Sequence, residues 1–169
     1  SAMREAQNGP EIVQGILEET GISIEIINGE QEAKIIYATH AAEIIDPDKS
    51  YLYVDVGGGS TEMTLFAGHG FETSHSFDIG TVRILNNMVT EPDWYSMIKW
   101  LREVKQNHKN LSMIGSGGNI NKIFSMIRKK PGKPLSYDDL KQMFLFLKKY
   151  SIEERIDQLK LNPHRADVI

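Results

Sequence analysis

Tyr51-Leu-Tyr-Val-Asp-Val-Gly-Gly-Gly-Ser-Thr-Glu-Met-Thr-Leu-Phe66 is the stretch on which the reading of this chain turns. Apolar residues lead into Asp55, three glycines follow, and a second strand-like run carries Ser60, Thr61 and Glu62. Consecutive glycines between two strands let the backbone turn tightly and approach a ligand without side chains in the way. Such a turn can aim several N–H groups at one anion, with the Ser60 and Thr61 hydroxyls as further donors. Asp55 and Glu62 flank it with carboxylates, which suits a hard divalent cation held between them and a phosphate. The plain alternative is an ordinary β-hairpin, but a hairpin turn asks for one or two glycines rather than three.

Outward from there, 169 residues can bury a sizeable core in one domain, or one domain plus a fragment. A content of 40% hydrophobic and 25% charged residues belongs to a globular chain. No apolar run approaches the roughly 18 residues of a membrane span, and no signal peptide is evident. The absence of cysteine excludes disulfides and thiolate metal sites, and a cytoplasmic location is the expectation. The net charge of −4 is unevenly spread. Residues 1–96 carry 4 basic and 16 acidic side chains, a balance of −12, and residues 97–169 carry 15 and 7, a balance of +8. The second half offers a basic surface to a polyanion, with Arg128, Lys129, Lys130 and Lys133 its densest cluster. A solvated helix end explains that cluster equally well.

Taken in order, Asn8 as cap and Pro10 in the first turn open a helix striped by Ile12, Val13, Ile16 and Leu17, which Thr20-Gly21 ends. Ile22 to Ile27 alternates as a half-buried strand. A helix follows to about Ile45, with Glu30 and Glu32 in its first turn, where the macrodipole favours anions. Strands are expected at 51–56, 60–67 and 71–77, then a short helix through Val82, Ile84, Leu85 and Met88. Neither His69 nor His75 has a partner that would make it a metal ligand. Thr90 and Asp93 form a capping box for a helix burying Trp94, Met97, Ile98, Leu101 and Val104. Leu111 to Ile114 reads as a buried strand running into Gly115-Ser-Gly-Gly118, after which a helix begins with Ile120, Ile123, Phe124 and Ile127 on one face. Strand, glycine turn and helix start form a ready second anion site, because free N–H groups and the dipole point the same way, with a plain close-packed turn as the alternative. Ser136 with Asp139 and Ser151 with Glu154 cap two more helices, the first burying Leu140, Met143, Phe144 and Leu147. The last residues read as the first turn of yet another helix.

A three-strand meander, then helix, strand, glycine loop and helix is similar to one lobe of the actin-like, sugar-kinase and heat-shock-protein-70 ATPase fold. Asp55-Val-Gly-Gly-Gly-Ser-Thr-Glu62 resembles the D-[IV]-G-G-G-S-T-E signature of the exopolyphosphatase/guanosine pentaphosphatase (Ppx/GppA) family. Ser1-Ala-Met-Arg-Glu-Ala-Gln-Asn-Gly9 resembles that family's S-A-x-R-x-A-x-N-G segment, and Ile27-Asn-Gly-Glu-Gln-Glu-Ala33 its I-S-G-x-E-E-A. Gly115-Ser-Gly-Gly118 resembles G-[TS]-G-G, and Arg165-Ala-Asp-Val-Ile169 resembles R-A-D-V-I. The resemblance implies an α/β fold: an actin-like ATPase (ribonuclease H-like) lobe, with a mixed sheet built on an antiparallel three-strand meander and flanked by helices. Residues 1–34 would be the remnant of a first lobe, and 35–169 a second lobe truncated at its C-terminus. The family's opening D-x-G-[ST]-N-[ST] strand and loop has no counterpart here. Gln31, Lys34 and Asn119 stand where the family usually has Glu, Arg and Thr.

Carried over position by position, the resemblance implies that Glu32 is the catalytic carboxylate. Asp55 and Glu62 would hold Mg²⁺ or Mn²⁺. Gly57, Gly58, Gly59, Ser60 and Thr61, with Gly115, Ser116, Gly117 and Gly118, would wrap phosphates, and Arg4 would contact a phosphoryl oxygen. The implied reaction is hydrolysis of a terminal phosphoanhydride in inorganic polyphosphate or guanosine pentaphosphate, which asks mainly for positioning and charge neutralisation. Neither a nucleic-acid polymer nor a membrane is an expected partner; a homodimer is compatible with this reading. Two competing readings are a non-catalytic module that binds polyphosphate or a nucleotide, and an ATP-dependent phosphotransferase of the same fold.

Overall fold

The computed structural model describes residues 3, 6–28, 31–32, 35, 46, 48–68, 70–130 and 132–169. Helix α1 (Gly9–Thr20) starts on Pro10 and ends where Gly21 takes a left-handed conformation, its N–H bonded to the Leu17 carbonyl. Asn8 occupies the cap position but makes no side-chain cap bond. The strand expected over 22–27 does not form. Residues 21–28 have no regular structure, and Ile22, Ile24 and Ile26 are 60%, 40% and 38% exposed. An alternating segment becomes a strand only beside another strand, and among the described residues none lies next to it. Of the helix expected to Ile45, Gln31, Glu32 and Ile35 are helical, and Glu30, Lys34 and 36–45 lie outside the described residues, as do Arg4 and His69.

The sheet has four strands, β1 (Ser50–Val56), β2 (Thr61–Ala67), β3 (Gly70–Phe77) and β4 (Leu111–Ser116), in the order β3-β2-β1-β4. The first three form the antiparallel meander, and β4 lies parallel to β1. The mixed sheet agrees with the expectation. Between β3 and β4 run α2 (Thr81–Leu85) and α3 (Glu91–Asn107), the latter opened by the Thr90–Asp93 capping box. One face of the sheet and α3 share a core of Leu52, Val54, Met63, Phe77, Ile79 and Met97, with Trp100 and Leu101 packed against it. Burying a side chain such as Leu52 or Leu65, each 1% exposed, stabilises the fold by about 1.5–3 kcal/mol. On the other face Tyr51, Thr64 and Phe66 are buried, so β2 is covered on both sides. The α3 stripe differs from expectation: Trp94 and Ile98 are exposed, while Trp100 turns inward to meet His75 and Phe77.

His108 at the end of α3 clasps the sheet. Its ring lies 2.9 Å from Ser50 Oγ through Nδ1 and 3.1 Å from Glu72 Oε1 through Nε2. After β4 come α4 (Gly118–Ile127), α5 (Tyr137–Leu147) and α6 (Ile152–Asp157), with both expected capping boxes formed. These helices share a second core of Leu147, Leu161 and Ala166, against which Met126, Met143 and Ile156 pack. Phe144, expected inside, is 60% exposed, because Met143 and Leu147 take the inward side of α5 and the next residue along is rotated away. The tail is not the start of a helix. It runs as successive turns, Arg165 N–H to Asn162 O and Val168 N–H to Arg165 O, and folds back so that Ala166 is fully buried. Arg155 holds that return by donating to the carbonyls of Leu147 and Ala166.

Candidate functional site

Strand register builds the site. Asp55 stands directly opposite Glu62 across β1 and β2, opposite Ser116 across β1 and β4, and Glu62 stands opposite Ser76 across β2 and β3. Partners in a ladder share a face, so Ser76, Glu62, Asp55 and Ser116 form one row across the sheet. Ladder geometry puts the Cβ atoms of Asp55 and Glu62 about 5 Å apart, a spacing at which two like charges destabilise a sheet. Burial, and then the charges of Glu62 and Glu32, push the Asp55 carboxyl above its usual range. Glu32 therefore belongs to the same electrostatic cluster. Its position follows from the reciprocal cap between Asn28 and Gln31, in which Gln31 N–H donates to Asn28 Oδ1 and Asn28 N–H to Gln31 Oε1. Gln31 thus serves the helix start that carries Glu32.

The glycine turn is pinned from behind. Gly57 N–H donates to the Ser60 carbonyl at 2.9 Å, closing the turn. The first N–H groups of α2 then take its carbonyls: Thr81 N–H donates to Gly57 O, and Val82 and Arg83 N–H to Gly58 O. A methyl on Gly80 would strike Gly58, so this contact needs glycine on the helix side as well. The N–H groups of Gly58 and Gly59 make no hydrogen bond among the described residues. The two hydroxyls of the turn are occupied differently from expectation. Thr61 Oγ1 is buried and donates to the Ile79 carbonyl at 2.5 Å, and Ser60 Oγ, also buried, donates to Glu62 Oε1 at 2.8 Å. Each hydroxyl has one proton, so neither serves as a phosphate donor in this arrangement.

The second glycine segment is tighter than a loop. Gly115 and Ser116 are the last residues of β4, Gly117 alone makes the turn, and α4 begins at Gly118. Gly117 has φ 106 and ψ 168, and a Cβ there would lie 2.9 Å from Asp55 Oδ1. Gly117 offers α4 no side-chain cap and no acidic residue lies in its first turn, so among the described residues its first N–H groups and dipole remain available to an anion. Two residues that the sequence names only as a motif member and as a departure from the family pattern also reach this helix start. Arg165 lays its guanidinium against Gly118, and Asn119 Nδ2 donates to Val168 O, tying the tail to the start of α4. Beside them opens a cavity of about 490 Å³ lined by Gly118, Asn121, Lys122, Lys160, Asn162 and Arg165. Arg165 sits in the matched R-A-D-V-I element, but nothing in the local pattern says that the tail doubles back onto α4. Ser76 could have been found by counting register through the meander.

The site residues thus brought together are Asp55, Glu62, Ser60, Ser116, Gly117 and Gly118, with Glu32 coupled through charge. Among the described residues no group of three His, Asp or Glu side chains is placed to ligate one ion. Two adjacent carboxylates nevertheless fit Mg²⁺, which keeps several waters and takes one or two carboxylates plus substrate phosphates. The mutual repulsion within the row is what such a cation would relieve. No helix among the described residues is long and apolar enough to cross a membrane.

Over residues 1–169 the sequence matches the model of the Ppx/GppA phosphatase family. The crystal structure of the Aquifex aeolicus member of that family is 27% identical, with a TM-score of 0.71 over 99% of this chain and 60% of that chain. An exopolyphosphatase from Cytophaga hutchinsonii shares the fold, with 23% identity and a TM-score of 0.76 over 99% of this chain and 61% of its own. A bifunctional 3-dehydroquinate synthase/phosphatase of Fusobacterium nucleatum is 35% identical over an alignment 135 residues long, which covers 70% of this chain and 20% of that protein. The chain therefore spans about 60% of the solved relatives and a fifth of the Fusobacterium protein.

Proposed function

The chain belongs to the Ppx/GppA phosphatase family, and on that premise we propose that it carries the carboxylate-bearing part of a phosphoanhydride hydrolase site. The substrate would be inorganic polyphosphate or guanosine pentaphosphate, cleaved at its terminal phosphate. The observation that carries this reading is the like-charged pair Asp55 and Glu62, held opposite each other against the uncapped start of α4. Stability alone gives no reason to align two carboxylates there; catalysis on a polyanion does.

Asp55 and Glu62 are the residues that would hold Mg²⁺ or Mn²⁺. Bound there, the cation would neutralise charge developing on the phosphoryl oxygens. The first N–H groups of α4 and those of Gly58 and Gly59 donate to phosphate oxygens, and Arg165 brings a cation to the same helix start. Glu32 orients a water in line with the terminal phosphorus and takes its proton as the new P–O bond forms and the bridging P–O bond breaks. The electron pair leaves with the shortened polyphosphate. Lys122, Lys160 and Arg165 give the neighbouring cavity a positive lining that suits the next phosphates of a long chain.

Glu32→Gln, with phosphate release from polyphosphate as the readout, tests the assignment. A loss of a hundredfold or more is expected of a group that handles the proton of the attacking water, and a loss below about tenfold removes Glu32 from that role. A second reading, a module that binds polyphosphate without turnover, draws on the basic lining of the cavity beside α4, where Lys122, Lys160 and Arg165 can hold phosphates without cleaving them. Tight calorimetric binding with no phosphate release would select it.

A further inference from the structure

We propose that Ser60 and Ser76 are positioning residues: together they clamp one oxygen of Glu62 and reserve the other for the cation. Ser60 Oγ donates to Glu62 Oε1 at 2.8 Å from the end of the glycine turn. Ser76 Oγ donates to the same Oε1 at 3.4 Å from β3, the strand on which it is the register partner of Glu62. Two donors arriving from different elements at one oxygen fix the rotation of the carboxylate about its last bond. No hydrogen bond reaches Oε2 among the described residues, which leaves that atom available to a cation shared with Asp55. The inference rests on the reading that Asp55 and Glu62 hold a divalent cation, and it changes the part that Ser60 plays in that reading. A buried hydroxyl whose single proton is given to a carboxylate presents only lone pairs elsewhere, and lone pairs repel phosphate. Partners that orient a metal ligand are commonly worth 10–100-fold in metal affinity.

The experiment measures Mn²⁺ binding to the full 169-residue chain by electron paramagnetic resonance, with thermal midpoints recorded in parallel. Ser60→Ala is expected to weaken Mn²⁺ binding by about tenfold, and Ser76→Ala, which removes the longer bond, by a smaller factor. Ser60→Thr and Ser76→Thr, which keep the hydroxyl, should restore most of the affinity. Should Ser60→Ala fail to fold, the exposed Ser76 with its threonine control carries the test alone. Unchanged Mn²⁺ affinity in both alanine variants overturns the clamp. So does a wild-type chain that binds no Mn²⁺, or a Ser60→Ala variant whose only defect is a raised KM for polyphosphate. A wild type that releases no phosphate while its alanine variants lose Mn²⁺ would sink the hydrolase reading and leave the clamp standing.

Discussion

Gly117→Ala tests the most constrained point of the site. The glycine has φ 106 and ψ 168, a backbone region essentially closed to residues with a Cβ, and occupying it costs of order 1–3 kcal/mol. The added methyl would also lie 2.9 Å from Asp55 Oδ1 and 3.4 Å from the Val56 carbonyl oxygen, against the roughly 3.5 Å or more of a relaxed contact. Neither neighbour is the loose end of a long chain: Asp55 is short and Val56 O belongs to β1. Together the two effects predict about 2–4 kcal/mol of lost stability. At 2–4 °C per kcal/mol for a domain of this size, the midpoint should fall by roughly 5–15 °C. Urea denaturation followed by circular dichroism should show a lower midpoint with an unchanged slope. Gly59→Ala is the control, since its φ is not positive and nothing lies within 4 Å of a Cβ placed there; it should stay within about 0.5 kcal/mol of wild type. A Gly117→Ala variant as stable as Gly59→Ala would refute the claim that Gly117 is wedged against the carboxylate.

Three further outcomes follow from the same geometry. In the presence of a chelator at pH 7, Asp55→Asn should be more stable than wild type, because burial and the neighbouring carboxylates raise the folded-state pKa of Asp55. The folded form then holds its proton more firmly than the unfolded chain, so wild type loses stability as pH rises through that pKa, and the advantage of the variant should vanish below the ordinary value of 3.8. Thermal scans across pH read this directly. Asp139 is the opposite case: the Lys129 ammonium first, and then bonds from Ser136, hold its carboxyl at about 2. That pair stabilises the fold above pH 3.8 and its contribution is lost as pH falls toward 2, so Lys129→Met should soften the acid limb of unfolding. Gly118→Ala should displace the end of Arg165 at little cost in stability, since a guanidinium can swing aside where a backbone cannot. Weaker binding of inorganic tripolyphosphate with a nearly unchanged midpoint is the expected signature.

Much of the fold was legible because its signals are local. The Thr90–Asp93, Ser136–Asp139 and Ser151–Glu154 boxes each mark a helix start within four residues, and the alternation across 51–77 carries the meander. What failed depended on distant neighbours. Ile22 to Ile26 alternate as a strand should, yet no described strand lies beside them. Phe144 fits the α5 stripe as well as Met143 does, and only the line along which the tail packs decides which is buried. At the site, Asp55, Glu62 and Gly117 could be read from spacing. The hydroxyl assignments of Ser60 and Thr61 could not, because each depends on a partner, Glu62 Oε1 or Ile79 O, whose placement the turn itself determines.

The position of the site has a topological cause that no single motif states. β1 and β4 are parallel neighbours, so both deliver their carboxyl ends to the same edge of the sheet, the place where open α/β sheets receive ligands. β1 ends in Asp55 and Val56 before the first glycine turn, and β4 ends in Ser116 before the turn at Gly117. Because Asp55 pairs with Ser116, the turn after β4 must fall beside the Asp55 carboxylate, which is why a side chain at Gly117 would collide with it. The antiparallel β2 then brings Glu62 in from the other side, since a strand leaving a short turn starts where its partner ended. Three chain segments meet within one row of a ladder, and the two glycine stretches are needed because the backbone itself has to come close. The acidic pair and the helix start are therefore a single construction: one register fixes both, and a one-residue slip of β4 against β1 would turn Ser116 to the other face and carry α4 away from Asp55.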